Sequence, residues 1–341
     1  MAVLRTLLAL MLMLGAGAAD LASGAVIQPF AGEEEAGFPM VQADDFSVMT
    51  YNIHGMPWPI ADDRSADLIA IGARMRQLHW LGKAPRVALI QEAFTAKAKA
   101  IAHASGYRYA AFGPGDDGSV AVALPPGVSD ATLRSDASWA KGEGVGKWED
   151  GGLMILSDYP IVRVRRMAYS ADACAGYDCL AAKGAILAEL ALPDGRRVEI
   201  VNTHLNSRHA SGVSTDRANR AWLVQVGELR EFIGKHRNRA LPLIVGGDLN
   251  VGHDLVRQLG LADMTAGLDR NGIDALHTLH DHGVAMGTDA NGTLAHGKDW
   301  ELVLGGTGSS LKPRAAWVPF GSRHGAPLSD HLGYAVSYTA G

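Results

Sequence analysis

Gly246-Gly247-Asp248-Leu249-Asn250 follows the apolar run Leu243-Ile244-Val245. Residues i and i+2 of an extended segment share a face, so Asp248 and Asn250 can aim at one small polar target where a buried strand ends. The two glycines would let the backbone turn sharply there. Asp and Asn are also ordinary turn residues. The pattern recurs, however. Asn52 follows Met49-Thr50-Tyr51, Glu92 follows Leu89-Ile90-Gln91, and His204 follows Val201-Asn202-Thr203. Asp299 precedes Trp300-Glu301-Leu302-Val303, and Ser329-Asp330-His331 precedes the last apolar run. Singly, each has a structural explanation: Glu92 as a helix cap, His204 as a satisfied core histidine, Asp330 as a turn residue. Strand ends of one sheet gather in space, and carboxylates, carboxamides and imidazoles gathered there suit proton transfer beside a hard cation.

The elements that must position these groups are legible as periodicity. Phe46 to Tyr51, Val87 to Ile90, Leu153 to Leu156, Leu243 to Val245, Trp300 to Leu304 and Leu332 to Tyr338 read as strands. Ala185 to Leu192 and Val198 to Thr203 flank Pro193-Asp194-Gly195, which predicts a hairpin. Ala66 to Leu81 and Ala221 to Phe232 carry helical periodicity. Strands dominate, helices intervene, and no linker divides the middle. Residues 46–341 are expected to form one domain.

The chain has 341 residues, 48% hydrophobic and 20% charged, enough for one large α/β core. A net charge of −5 argues against holding nucleic acid by bulk electrostatics. Residues 1–18 read as a secretory signal, with Arg5, the apolar Leu7 to Leu14, and Ala16-Gly17-Ala18 as the cleavage pattern. The apolar stretch is shorter than the ~20 residues that span a bilayer, and no other transmembrane span is seen. Residues 19–45, with Glu33-Glu34-Glu35, are expected to be a flexible segment. The protein is therefore expected to be secreted or periplasmic. Cys174 and Cys179, the only cysteines, are expected to form a disulfide in that setting; two buried thiols are the alternative. A monomer is the simplest expectation.

Tyr51-Asn52, Gln91-Glu92, Thr203-His204-Leu205, Gly247-Asp248-Leu249-Asn250 and Ser329-Asp330-His331 resemble, in order, the motifs of the endonuclease/exonuclease/phosphatase superfamily. The resemblance covers residues 46–340. It implies a DNase I-like fold, an α/β four-layer sandwich of two packed mixed β-sheets flanked by helices. Lys183-Gly184-Ala185, Ser65-Ala66-Asp67-Leu68-Ile69 and Gly151-Gly152-Leu153 to Ser157 with Tyr159-Pro160-Ile161 are similar to bacterial sphingomyelinases. The resemblance implies a Mg²⁺-dependent phosphodiesterase, with Mn²⁺ or another divalent cation as a substitute. Glu92 would be the main metal ligand, helped by the Asn52 carbonyl oxygen, with Asp330 at or beside the metal. His331 would be the general base, oriented by Asp299; its ordinary pKa near 6.5 suits neutral pH. Asp248 and Asn250 would position water and phosphate, His204 would steady a phosphate oxygen, and Lys183 would contact substrate phosphate or remain solvated.

The substrate expected is a phospholipid at a membrane surface. Two departures stand out. The region from Met264 to His296, where such sphingomyelinases carry an aromatic hairpin, has no aromatic residue; Trp58, Trp317 and Phe320 are substitutes. Glu301 puts a charge where an apolar residue is expected. A secreted DNA endonuclease with the same residues is the first alternative, and a non-catalytic binding module the second. His277, His280 and His282 could bind a transition metal but are expected on a solvated loop. Arg163, Arg165 and Arg166 are expected on a solvated face, and His54 and His253 beside the pocket or capping turns.

Overall fold

The computed structural model describes residues 46–57, 60–115, 129–134, 137–321 and 326–341. The expected signal sequence, the segment 19–45 and Trp58 lie outside the described residues. The strands are β1 (Phe46–Asn52), β2 (Val87–Gln91), β3 (Tyr109–Phe112), β4 (Met154–Ser157), β5 (Ile161–Ala168) and β6 (Gly184–Ala191). They continue with β7 (Arg197–His204), β8 (Leu243–Asp248), β9 (Ile273–Asp274), β10 (Asp299–Leu304), β11 (Leu311–Trp317) and β12 (Tyr334–Ala340). The longer helices are α1 (Ser65–Trp80), α2 (Thr215–His236), α3 (Leu255–Leu268), α4 (Ala275–Asp281) and α5 (Gly287–His296).

Two six-stranded sheets pack face to face, ordered β11-β12-β1-β2-β4-β3 and β5-β6-β7-β8-β10-β9. Each is mixed: β1 runs parallel to β2 and β7 to β8, and the remaining pairings are antiparallel. This is the DNase I-like sandwich the motifs imply. Strand alternation divides the core. Val48, Leu89, Ile155, Ile200, Ile244 and Val303 meet between the sheets. Met49, Ile90 and Met154 face the other way, onto Leu68, Ile71 and Met75 of α1. Val201 and Val245 likewise face Trp222, Leu229 and Phe232 of α2 and Leu261 and Met264 of α3. Both faces of the central strands are covered, so they read as unbroken apolar runs rather than alternating ones. Each fully buried Leu, Ile or Phe here contributes about 1.5–3 kcal/mol of transfer free energy.

Register brings the chemistry-bearing ends together. Parallel pairing sets Asn52 beside Gln91, the residue before Glu92, and His204 beside Asp248. Antiparallel pairing sets Asp299, at the start of β10, opposite Asp248 at the end of β8. One edge of the sandwich thus collects the ends of β1, β2, β7 and β8 and the beginning of β10.

Several expectations are corrected. Gly246 and Gly247 are not a turn; β8 runs through them to Asp248. Gly247 has φ 140°, and a Cβ there would lie 1.9 Å from the Thr203 carbonyl oxygen. The glycine lets β7 approach. Gly247→Ala is expected to cost more than about 3 kcal/mol, because rigid backbone must move; a soluble variant with an unchanged melting midpoint would refute this. His277 and His280, expected on a loop, sit on α4, and His277 is paired with Asp274 at 2.7 Å and stacked on Trp300. Arg163 is not solvated: it is half-buried and bridges Glu189 and Glu199. Phe320 is buried against Tyr51 and Trp317 is half-buried. The exposed aromatics are instead Trp80, Trp139, Trp148 and Tyr177 among the described residues. Cys174 and Cys179 are joined as a disulfide.

Candidate active site

Asn52 is the hub. Its Nδ2 donates to Glu92 Oε1 at 2.9 Å and to Asp248 Oδ2 at 3.2 Å. Its Oδ1 accepts the His54 N–H at 3.0 Å. Asn52 therefore bridges the two carboxylates with its amide, where the sequence reading had its carbonyl oxygen facing a metal. Asp248 Oδ2 also lies 3.6 Å from His204 Nε2 and 3.6 Å from His331 Nε2. His331 Nδ1 is held by Asp299 Oδ2 at 2.8 Å. This is the geometry of an oriented imidazole: one ring nitrogen fixed by a carboxylate, the other aimed into the site.

Seven of the expected residues thus converge: Asn52, Glu92, His204, Asp248, Asn250, Asp299 and His331. Asn250 joins through its backbone N–H on Asp248 Oδ1 at 3.0 Å and its Nδ2 on the Leu205 carbonyl at 3.1 Å. It does not continue an extended segment, since its φ is 52°. Asp330 stays on the rim, its side chain 59% exposed, with Oδ1 3.3 Å from His54 Nδ1. His253 is exposed. Lys183 is buried, not solvated. Its three ammonium protons are matched by Asp178 Oδ1 at 2.9 Å, His204 Nε2 at 3.1 Å and the Leu205 carbonyl at 3.2 Å. The reading of Lys183 as a phosphate contact gives way to a support for His204.

His54, Glu92 and Asn250 are the non-glycine residues with left-handed backbone among those described, and all three belong to this site. Such a conformation costs of order 1–3 kcal/mol and persists where the surroundings impose it. At Glu92 the imposing neighbour is Gly55, where a Cβ would lie 2.5 Å from the Glu92 carbonyl oxygen. No periodicity announces these conformations; Gly55, three residues past Asn52, was the available signal.

Charge follows from burial. Desolvation lifts Glu92 to a pKa of about 7. Asp248 is raised by burial, against the pull of His331. His204 is pushed well below its ordinary value by burial and then by Lys183 and His331, so it is neutral. Burial alone would lower His331; the Asp299 and Asp248 carboxylates overcome it and hold the pKa at about 10. The bare site therefore carries an imidazolium between two carboxylates. A histidine raised on folding stabilises fully below its unfolded value near 6.5, and that contribution fades as pH climbs through about 10. Glu92 acts in the same direction, its cost growing between pH 4.5 and about 7. With a chelator present, the melting midpoint is expected to fall from pH 6.5 to 10, and His331→Gln to flatten the fall above pH 7. A wild-type midpoint constant over that range would contradict this arrangement.

The residues fit a divalent cation. Glu92 is a buried carboxylate to which, among described side chains, only Asn52 donates a hydrogen bond, with His204 Nε2 4.0 Å away. That is an under-compensated hard oxygen donor. Asp248, Asp299 and His331 also place ligand atoms within 4.8 Å of one another. The hydrogen bond between Asp299 and His331 already occupies Nδ1, and hard cations take oxygen in preference to imidazole. Glu92 is the better anchor.

No curated protein matches the chain. Solved structures do. A double mutant of beta toxin from Staphylococcus aureus with bound magnesium ions is 18% identical, with TM-score 0.54 over 86% of this chain and 99% of that one. Sphingomyelinase C from Streptomyces griseocarneus is 21% identical, with TM-score 0.51 over 86% and 99%. An endonuclease/exonuclease/phosphatase from Beutenbergia cavernae is 19% identical, with TM-score 0.55 over 87% and 72%. At these identities the likeness is one of fold. The sequence pattern of the Endonuclease/Exonuclease/phosphatase family matches residues 49–331, which span every converging residue from Asn52 to His331. The chain belongs to the Endonuclease/Exonuclease/phosphatase family.

Proposed function

We propose that this protein is an exported, metal-dependent phosphodiesterase that releases the head group of a phospholipid, in the manner of the sphingomyelinases. The observation that carries the hydrolytic reading is the Asp299–His331 pair aimed at Asp248 beside the buried Glu92. The lipid branch is supported by the sphingomyelinase among the structural neighbours and by a net charge of −5, unfavourable for a polyanionic duplex. Export rests on the leader-like residues 1–18 and is consistent with the Cys174–Cys179 bridge.

Glu92 would hold the cation, Mg²⁺ in the first instance, with Asn52 fixing the carboxylate. The cation would neutralise phosphate charge and lower the proton affinity of His331 and of the attacking water. His331 Nε2 takes a proton from that water, and Asp299 stabilises the imidazolium formed. Asp248 and the Asn250 amide orient water and phosphate for in-line attack on phosphorus. His204, kept neutral, lines the site as an imidazole whose Nε2 accepts from the Lys183 ammonium, so the donor role expected of it at a phosphate oxygen is not carried by that nitrogen.

The test is side-by-side hydrolysis of sphingomyelin vesicles and supercoiled plasmid by the purified mature chain, with Mg²⁺ and then with EDTA. Metal-dependent phosphocholine release without nicking is the expected result. Nicking alone would replace the lipid reading with a DNA endonuclease, and activity that survives EDTA would overturn the metal role. Mass spectrometry of the exported chain is expected to find a start after Ala18; an intact leader would refute export by cleavage.

A further inference from the structure

Arg257, on the first turn of α3, is fully buried. A buried guanidinium is costly unless its donors are satisfied; here Nη1 and Nε are bonded within the walls of the site, while Nη2 has no hydrogen-bond partner among the described residues. Nη1 donates to the Asn250 carbonyl at 2.7 Å and to the Asn206 carbonyl at 2.8 Å. Nε donates to Asn219 Oδ1 at 2.7 Å. The guanidinium carbon lies 5.6 Å over the Trp222 ring, and Trp222 Nε1 donates to the Leu249 carbonyl at 2.7 Å. Gln225 Oε1 accepts the Asn206 N–H at 2.7 Å. The two gripped segments are the ones that follow β7 and β8, carrying His204 and Asp248. Asn250 Nδ2 on the Leu205 carbonyl joins them directly.

We infer that Arg257, backed by Trp222, is a positioning residue for the reaction: it clamps the segments after β7 and β8 and so fixes the left-handed turn at Asn250 and the spacing of His204 and Asp248. Asn250 at φ 52° is held by its N–H on Asp248 Oδ1 from one side, and from the other by Arg257, which pulls on its carbonyl. Lysine cannot reproduce the grip, because a single ammonium lacks the planar fork that reaches two carbonyls and Asn219 together. Neither partner segment would lose its strand, since β7 and β8 are fixed by their own ladder and core.

The kinetic part of this inference rests on the phosphodiesterase reading; the conformational part does not. The variants are Arg257→Met, which keeps volume and removes the donors, and Arg257→Lys. For Arg257→Met, kcat on the substrate found active is expected to fall about 10–100-fold with KM changed less than about twofold, the scale at which outer-shell partners act. Leu261→Ala, on the same helix and without polar contacts, is the control: it loses stability but keeps kcat. Independently of activity, amide hydrogen exchange is expected to show the Asn250 and Asn206 N–H groups unprotected in Arg257→Met while Val245 and Val201 stay protected. If Arg257→Met does not fold, Arg257→Lys carries both readouts, with smaller losses in the same sense. Wild-type kcat together with wild-type protection at Asn250 in a folded variant would overturn the assignment. Loss of protection in a protein without hydrolase activity would leave the clamp standing and remove the phosphodiesterase reading instead.

Discussion

His331→Gln is expected to leave a folded protein whose turnover is about 10³-fold lower or less still. Positioned general bases contribute roughly 10²–10⁴ to rate, and this one is positioned twice. Asp299 fixes Nδ1 at 2.8 Å, and the Asp248 carboxylate sits 3.6 Å from Nε2. Glutamine can still donate to Asp299 but cannot accept a proton at neutral pH. The fold is expected to survive because the side chain lies at the edge of the sandwich, outside the three apolar clusters. The check is steady-state kinetics beside a thermal melt. Turnover within tenfold of wild type would remove His331 from the role of base. Asp299→Asn should fall between the two, since an amide still orients the ring and no longer stabilises its charge.

Glu92→Gln is expected to abolish metal-supported turnover and, in the presence of chelator at pH 8, to raise the melting midpoint. Folding lifts this carboxyl from 4.5 to about 7, so the ionised form costs the native state about 3 kcal/mol above pH 7. A neutral amide of the same shape removes that cost, worth about 5 °C in a chain of this size. The acid's pKa is raised on folding, so the penalty vanishes as pH falls toward 4.5 and the two proteins should converge there. Adding Mg²⁺ should reverse the order at pH 8, because only the wild type gains from binding. A midpoint that falls in Glu92→Gln under chelator would show that Glu92 is a structural carboxylate and not a metal anchor.

The strand ends were legible because two separate codes overlap there. An apolar run marks a strand covered on both faces, and a polar residue at its terminus breaks a pattern the core requires. Asn52, Glu92, His204 and Asp248 all sit at such breaks, and parallel pairing does the rest. Asp330 reads the same way in sequence, yet the chain rolls it outward while its neighbour His331 turns in; alternation alone cannot say which neighbour faces the cleft. Lys183 was misread because a lysine before a strand resembles a surface cation, and the Asp178 that neutralises it is supplied by the disulfide-bridged turn. Helices α3 to α5 were missed because their apolar stripes are interrupted by glycines and histidines. Glu301 looked like a misfit charge; it is fully buried, donated to by the Tyr338 hydroxyl, and burial raises its pKa well above the carboxylate range. A neutral acid in a core has no signature in composition.

The three left-handed residues place a local cost at the edge of the sandwich. Glycine at positions 54, 92 and 250 would relax the backbone at a smaller entropic penalty than the strain removed. Strain and the side chains the site needs therefore reside at the same three positions, and the sheet ladders and apolar clusters around them must carry that cost.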